Sequence, residues 1–151
     1  MTTGNHLHDR RPTAIVSTVA SDSHTWNLVF LQLLLEEHGY AVTNLGACTP
    51  DDLLVQETQD RQPDVVVIST VNGHGHQDGR RVIARLRDCP ELTTTPVVIG
   101  GKLGVAGGDG RTYGADLRAA GFTEVFEEGV AGPVEFSGFL NDVALRVGVP
   151  V

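Results

Sequence analysis

Asp22 and His24 stand two residues apart in the segment Ser21-Asp22-Ser23-His24-Thr25. A carboxylate at that spacing can accept a hydrogen bond from one imidazole nitrogen while the other nitrogen binds a metal. Such a pairing fixes the histidine tautomer and raises ligand basicity. The competing reading is a histidine in a polar loop beside a helix start, so the pair needs company. Two later segments, Ser69-Thr70-Val71-Asn72-Gly73-His74-Gly75-His76 and Gly100-Gly101-Lys102-Leu103-Gly104, are rich in small residues. Small side chains leave a slot that a bulky group can enter.

These segments must be brought together by the fold. Apolar, β-branched runs recur at 13–20, 40–45, 64–70, 95–99 and 123–126, each followed by a turn signal and a helical pattern. The helices are expected at 26–38, 50–62, 78–88, 113–120 and 134–147. Thr49 reads as the cap of the second helix with Pro50 as its first residue, and Gly39 reads as the residue just past the first. Runs such as Val65-Val66-Val67-Ile68 are apolar without alternation, as in parallel strands covered on both sides. Right-handed crossovers and short loops favour a flavodoxin-like, doubly wound five-stranded α/β sheet of order 2-1-3-4-5. That order opens a crevice beyond the carboxyl ends of strands 1 and 3. The loops at that crevice are the three segments named above.

Composition narrows the partners. The chain has 151 residues, 40% of them hydrophobic, which suits one globular core. It is too short for a barrel of about 250 residues plus a cofactor domain. Eleven Lys and Arg against nineteen Asp and Glu give a net charge of −8, which argues against nucleic acid. Cys48 and Cys89 lie far apart with no C-x-x-C spacing, so neither a zinc knuckle nor a disulfide framework is expected. Residues 1–11 read as a flexible leader and 12–151 as one binding domain. With no signal peptide and no apolar run of membrane length, a cytoplasmic protein is expected.

Several ligands common to this architecture fit poorly. An FMN loop after strand 1 would be rich in glycine, whereas Asp22 would repel phosphate there. A phosphoacceptor receiver needs an aspartate at the end of strand 3, where Ser69 and Thr70 stand. The G-x-G-x-x-G dinucleotide pattern is missing after strand 1.

The three segments together resemble the D-x-H-x-x-G … S-x-L … G-G signature of cobalamin-binding domains of the base-off, His-on type. They are especially similar to the small subunits of glutamate mutase (methylaspartate mutase), over residues 13–145. Ser69-Thr70-Val71-Asn72-Gly73-His74-Gly75 resembles the S-S-L-Y-G-Q-G of those subunits. Asn27 stands where the family has glycine and Val71 where it has leucine, and asparagine tolerates a left-handed backbone better than most residues. The resemblance implies that His24 is the lower axial ligand of cobalt and Asp22 its hydrogen-bond partner, within a loop that includes Ser21, Ser23 and Thr25. It implies that Ser69, with Thr70 and Val71, meets the displaced nucleotide tail, that Gly100 and Gly101 make room for it, and that Gly73 is among the cofactor-binding residues. Lys102, Leu103, Gly104, Val105 and Ala106 would continue along the nucleotide and the corrin edge.

The implied function is that of the cobalamin-carrying subunit of an adenosylcobalamin-dependent carbon-skeleton mutase. It would be an isomerase subunit, inactive without a separate large barrel subunit, in a heterotetramer-like assembly. The alternatives are a corrinoid carrier for methyl transfer, a cobalamin sensor or storage module, and an adaptor of the same fold without a cofactor. Three other features bear on partners. The first helix is apolar almost all round, which suggests a protein surface near the cofactor mouth. Arg80, Arg81, Arg85 and Arg87 read as a solvated face, and His74 and His76 as polar groups on a loop.

Overall fold

The computed structural model describes residues 11–71, 74–102, 110–127 and 133–147. The expected leader therefore lies, apart from Arg11, outside the described residues. Strands β1 (Thr13–Thr18), β2 (Ala41–Asn44), β3 (Val65–Thr70), β4 (Val97–Gly101) and β5 (Glu124–Glu127) alternate with helices. The helices are α1 (Trp26–Glu37), α2 (Asp51–Arg61), α3 (Gly75–Arg87), α4 (Gly110–Ala120) and α5 (Pro133–Arg146). All strands are parallel, in the order β2-β1-β3-β4-β5. The flavodoxin-like arrangement expected from the sequence is the one observed.

Strand alternation divides the buried side chains into two layers. Ile15, Val66, Ile68, Val97 and Ile99 pack with Leu54 of α2, Val82, Ile83 and Leu86 of α3 and Leu117 of α4. Ala14, Val16, Val65, Val67 and Val98 pack on the other face with Leu28 and Leu35 of α1 and Phe136, Leu140 and Val143 of α5. Every residue of β3 is buried, which accounts for its unbroken apolar pattern. Tyr40 ties the second layer together: its ring is fully buried and its hydroxyl donates to the Leu140 carbonyl at 2.6 Å. Burial, with some repulsion from Asp64, pushes the Tyr40 phenol up to about 12.

Four local expectations are corrected. Thr49 does not cap α2; its hydroxyl turns back to the Gly46 carbonyl at 2.7 Å, and Pro50 is the extended cap residue. β4 continues through Gly100 and Gly101, which pair with Ser69 and Thr70, where a loop was expected. Glycine is compatible with a strand when a neighbour comes too close for a side chain, and here it does. Gly101 has φ +110, and a Cβ there would lie 1.9 Å from the Thr70 carbonyl oxygen. Lastly, α3 and α4 each begin three residues earlier than expected, so His76 is helical rather than on a loop. Gly39 does end α1 with φ +89, in the left-handed conformation that glycine favours.

Candidate functional site

β1 ends beneath a loop that folds back on itself, and Asp22 is its fixed point. The Asp22 side chain is 1% exposed, whereas that of His24 is 59% exposed. Asp22 Oδ1 accepts from His24 Nδ1 at 2.7 Å and from the His24 main-chain N–H at 2.9 Å. Asp22 Oδ2 accepts from the main-chain N–H of Val71 at 2.6 Å, so the carboxylate bridges the ends of β1 and β3. Its carbonyl accepts from the Thr18 hydroxyl at 3.1 Å and from the Cys48 N–H at 2.7 Å. Cys48 adopts φ +52 in the loop after β2, an uncommon conformation for a residue with a Cβ.

Burial alone would raise the Asp22 carboxyl. The N–H groups of Val71 and His24, together with the His24 ring, outweigh it and hold the carboxyl below its ordinary range. An ionised Asp22 accepts from His24 Nδ1, and Nε2 is the ring nitrogen that Asp22 does not engage. Ser21, Ser23 and Thr25 are exposed around the pair. Thr25 precedes α1, and its carbonyl accepts from Leu28 and Val29.

A groove of about 270 Å³ opens beside this loop, between the sheet and helices α1 and α5. Its floor is Val67, Ser69, Val98, Gly100 and Gly101, and its mouth includes Asn27 and Val71. Val71 thus belongs to both features: its side of the groove continues into the N–H that holds Asp22. At Gly100 a Cβ would sit 3.1 Å from the Phe126 carbonyl oxygen. The glycine therefore lets β5 close up while keeping the floor low. The walls are apolar: Phe30, Leu31 and Leu34 from α1, with Phe126 and Phe136 set edge to face at 5.2 Å. The volume falls just below the roughly 300–1,000 Å³ of pockets that hold whole small molecules. It suits part of a larger ligand better than a whole one.

Of the residues singled out from the sequence, Ser21, Asp22, Ser23, His24 and Thr25 form the loop, and Ser69, Val71, Gly100 and Gly101 line the groove. Thr70 points to the opposite face, under Gly75, where an added Cβ would be 2.4 Å from its Cγ2. Lys102 is exposed and joined to Thr70 through its main chain, its N–H donating to the Thr70 carbonyl at 2.8 Å. Gly73, Leu103, Gly104, Val105 and Ala106 lie outside the described residues.

Sequence reasoning missed the groove walls contributed by Phe126 and Phe136, although the unusual apolarity of α1 was a signal of a cavity beside it. His76, expected on a polar loop face, instead meets Asp116 of α4 at 2.5 Å and stacks near Tyr113 at 4.8 Å between ring centres. The expected solvated arginines are paired: Arg80 with Asp116, Arg81 with Asp51 and Asp78, and Arg85 with Asp52. Arg87 donates to the carbonyls of Gly121, Leu92 and Thr95 and is lowered by its burial. Trp26, Phe30 and Leu33, all more than half exposed, form with Val29 one uncovered stripe on α1. Among the described residues no group of three metal-ligating side chains occurs, and no helix is long and apolar enough to cross a membrane.

The B12 binding domain family matches residues 12–131. The glutamate mutase sigma subunit of Halobacterium salinarum is 33% identical over 115 residues, 76% of each chain. Two solved structures share the fold: a cobalamin-binding protein from Desulfitobacterium hafniense (TM-score 0.67, 20% identity, 87% of this chain and 60% of that one) and the monomethylamine corrinoid protein of Methanosarcina barkeri (TM-score 0.67, 16% identity, 90% and 57%). The chain spans less than two thirds of the length of either structure.

Proposed function

The chain belongs to the B12-binding domain family and is related to the glutamate mutase sigma subunits; from that membership we propose that it is the cobalamin-holding small subunit of an adenosylcobalamin-dependent carbon-skeleton mutase. Residues 12–151 would act as one unit of an isomerase whose substrate is held by a separate large barrel subunit, in the cytoplasm. The observation that carries the reading is the Asp22–His24 pair set beside a glycine-floored apolar groove.

The residues fit the group. An imidazole whose other ring nitrogen is held by a buried carboxylate has the donor chemistry that a cobalt centre would need from the protein. His24 Nε2 would be the lower ligand, with Asp22 fixing its tautomer and direction. The groove would take the displaced dimethylbenzimidazole tail, against Ser69, Val71, Gly100 and Gly101. Ser69 Oγ, which has no hydrogen bond to another described residue, would be available to it. Thr70 would act from behind, through its carbonyl bond to Lys102. Gly73 and the segment from Lys102 through Leu103, Gly104, Val105 and Ala106 are assigned to the nucleotide and corrin edge. When bound, adenosylcobalamin supplies a weak carbon–cobalt bond and the radical chemistry that follows from it. The chain's own residues would hold the cofactor: His24, steadied by Asp22, would bind cobalt, and the apolar groove would keep water from the group it encloses. The exposed α1 stripe supports a neighbouring subunit beside the groove mouth. The likeness to the methylamine corrinoid protein, at 16% identity, extends to the fold and does not favour methyl transfer.

The test is titration with hydroxocobalamin and adenosylcobalamin, followed by electron paramagnetic resonance of the Co(II) form with isotopically labelled histidine. Nitrogen splitting that responds to the label is expected. His24→Ala should remove that splitting, weaken binding by about 10- to 100-fold and largely abolish turnover with a glutamate-mutase-type large subunit. Asp22→Asn should do less, because it keeps a hydrogen bond. Unchanged affinity and spectrum in His24→Ala would overturn the assignment.

A further inference from the structure

Ser21 precedes the Asp22–His24 pair by one peptide, and its hydroxyl donates to Asp78 Oδ2 at 2.5 Å. Asp78 lies in the first turn of α3, where the helix dipole favours a carboxylate. Its other oxygen accepts from Arg81 Nη1 at 3.0 Å. The same guanidinium grips Asp51, the first residue of α2, through Nε at 2.5 Å and Nη2 at 3.3 Å. Both carboxylates are only 12% exposed. One planar cation therefore joins two helices and, through Asp78, the loop that carries His24.

None of Asp78, Arg81 or Asp51 lines the groove. Partly exposed ion pairs contribute little to stability, so the consequence of this chain of contacts is geometric. Asp22 is anchored by β1, by the loop after β2 and by Val71, whereas His24 is largely exposed and projects from a loop whose approach to Asp22 runs through Ser21. Holding a ligand ring to within about half an ångström requires fixed supports behind the first partner. Arginine suits the task because its fork meets two carboxylates in a set plane, which a lysine ammonium does not.

We propose that Ser21, Asp78 and Arg81 are positioning residues for His24, setting the path of the loop so that its imidazole meets cobalt in the productive direction. The inference rests on His24 being the axial ligand. The experiment uses the full chain loaded with hydroxocobalamin and reduced to Co(II). Asp78→Ala cuts the ties to both Ser21 and Arg81; it should raise the Kd up to about tenfold and lower the fraction of cobalt showing histidine nitrogen splitting. Asp78→Asn keeps an acceptor for Ser21 and should recover most of that fraction. Ser21→Ala and Arg81→Lys should fall between the two. Wild-type Kd and splitting in Asp78→Ala would overturn the proposal, as would an Asp78→Asn variant no better than Asp78→Ala. If the wild-type chain itself shows no histidine splitting, the axial assignment fails and this inference falls with it. A wild type that is His-ligated beside unaltered variants removes the inference alone.

Discussion

On the face covered by α2, α3 and α4, strands β3 and β4 present Ile68, Thr70 and Ile99, and each is met by a packed helix. On the face covered by α1 and α5 the same strands present Val67, Ser69, Val98 and Gly100, and the end of that face stays open as the groove. The surfaces above the two faces also differ. The carboxylate–arginine pairs join α2, α3 and α4. Of the large apolar side chains left exposed among the described residues, Trp26, Val29, Phe30, Leu33, Val134 and Leu145 belong to α1 and α5, and Leu53 alone to α2. One sheet thus carries a face closed by packed helices and a face whose end stays open as a groove beside exposed apolar side chains.

Substitutions should separate the two faces. Leu86→Ala, on the closed face, removes a fully buried side chain; it should cost about 2–5 kcal/mol of unfolding free energy, measured by urea denaturation, with little change in cobalamin affinity for the folded fraction. Ser69→Leu fills the groove floor and should leave stability within about 1 kcal/mol while abolishing tight cobalamin binding by calorimetry. Comparable stability losses from the two variants would break the contrast. Leu33→Gln should have the smallest effect, within about 0.5 kcal/mol, and leave cobalamin binding intact, but should weaken association with a large subunit in sedimentation velocity. An undiminished association would move the neighbour's contact away from α1.

The sheet order and the Asp22–His24 pair were legible because their signals are local: β-branched runs, and two polar residues whose side chains meet across a single intervening residue. Asp22's other partners were not, since Cys48 and Val71 reach it through main-chain groups whose placement depends on how β2 and β3 dock. Gly100 and Gly101 read as a loop because glycine weakens strands on propensity. Only the closeness of Phe126 and Thr70 makes them strand residues here. The arginines of α3 read as solvated because charge was visible and the facing carboxylates of α2 and α4 were not. Arg87 departs furthest, since it caps three carbonyls from segments that converge only in the folded chain.

The span of the Asp22 anchorage bears on how the site comes into being. The Asp-x-His sequence is complete early in synthesis, yet the N–H that fixes the carboxylate lies 49 residues further along, and closing so long a loop is slow relative to local structure. A nascent chain that has not yet docked β3 carries the imidazole without its orientation. The loop that carries His24 therefore gains its full set of anchors only together with the central strand pairing, so its order is a property of the assembled sheet and not of the local sequence.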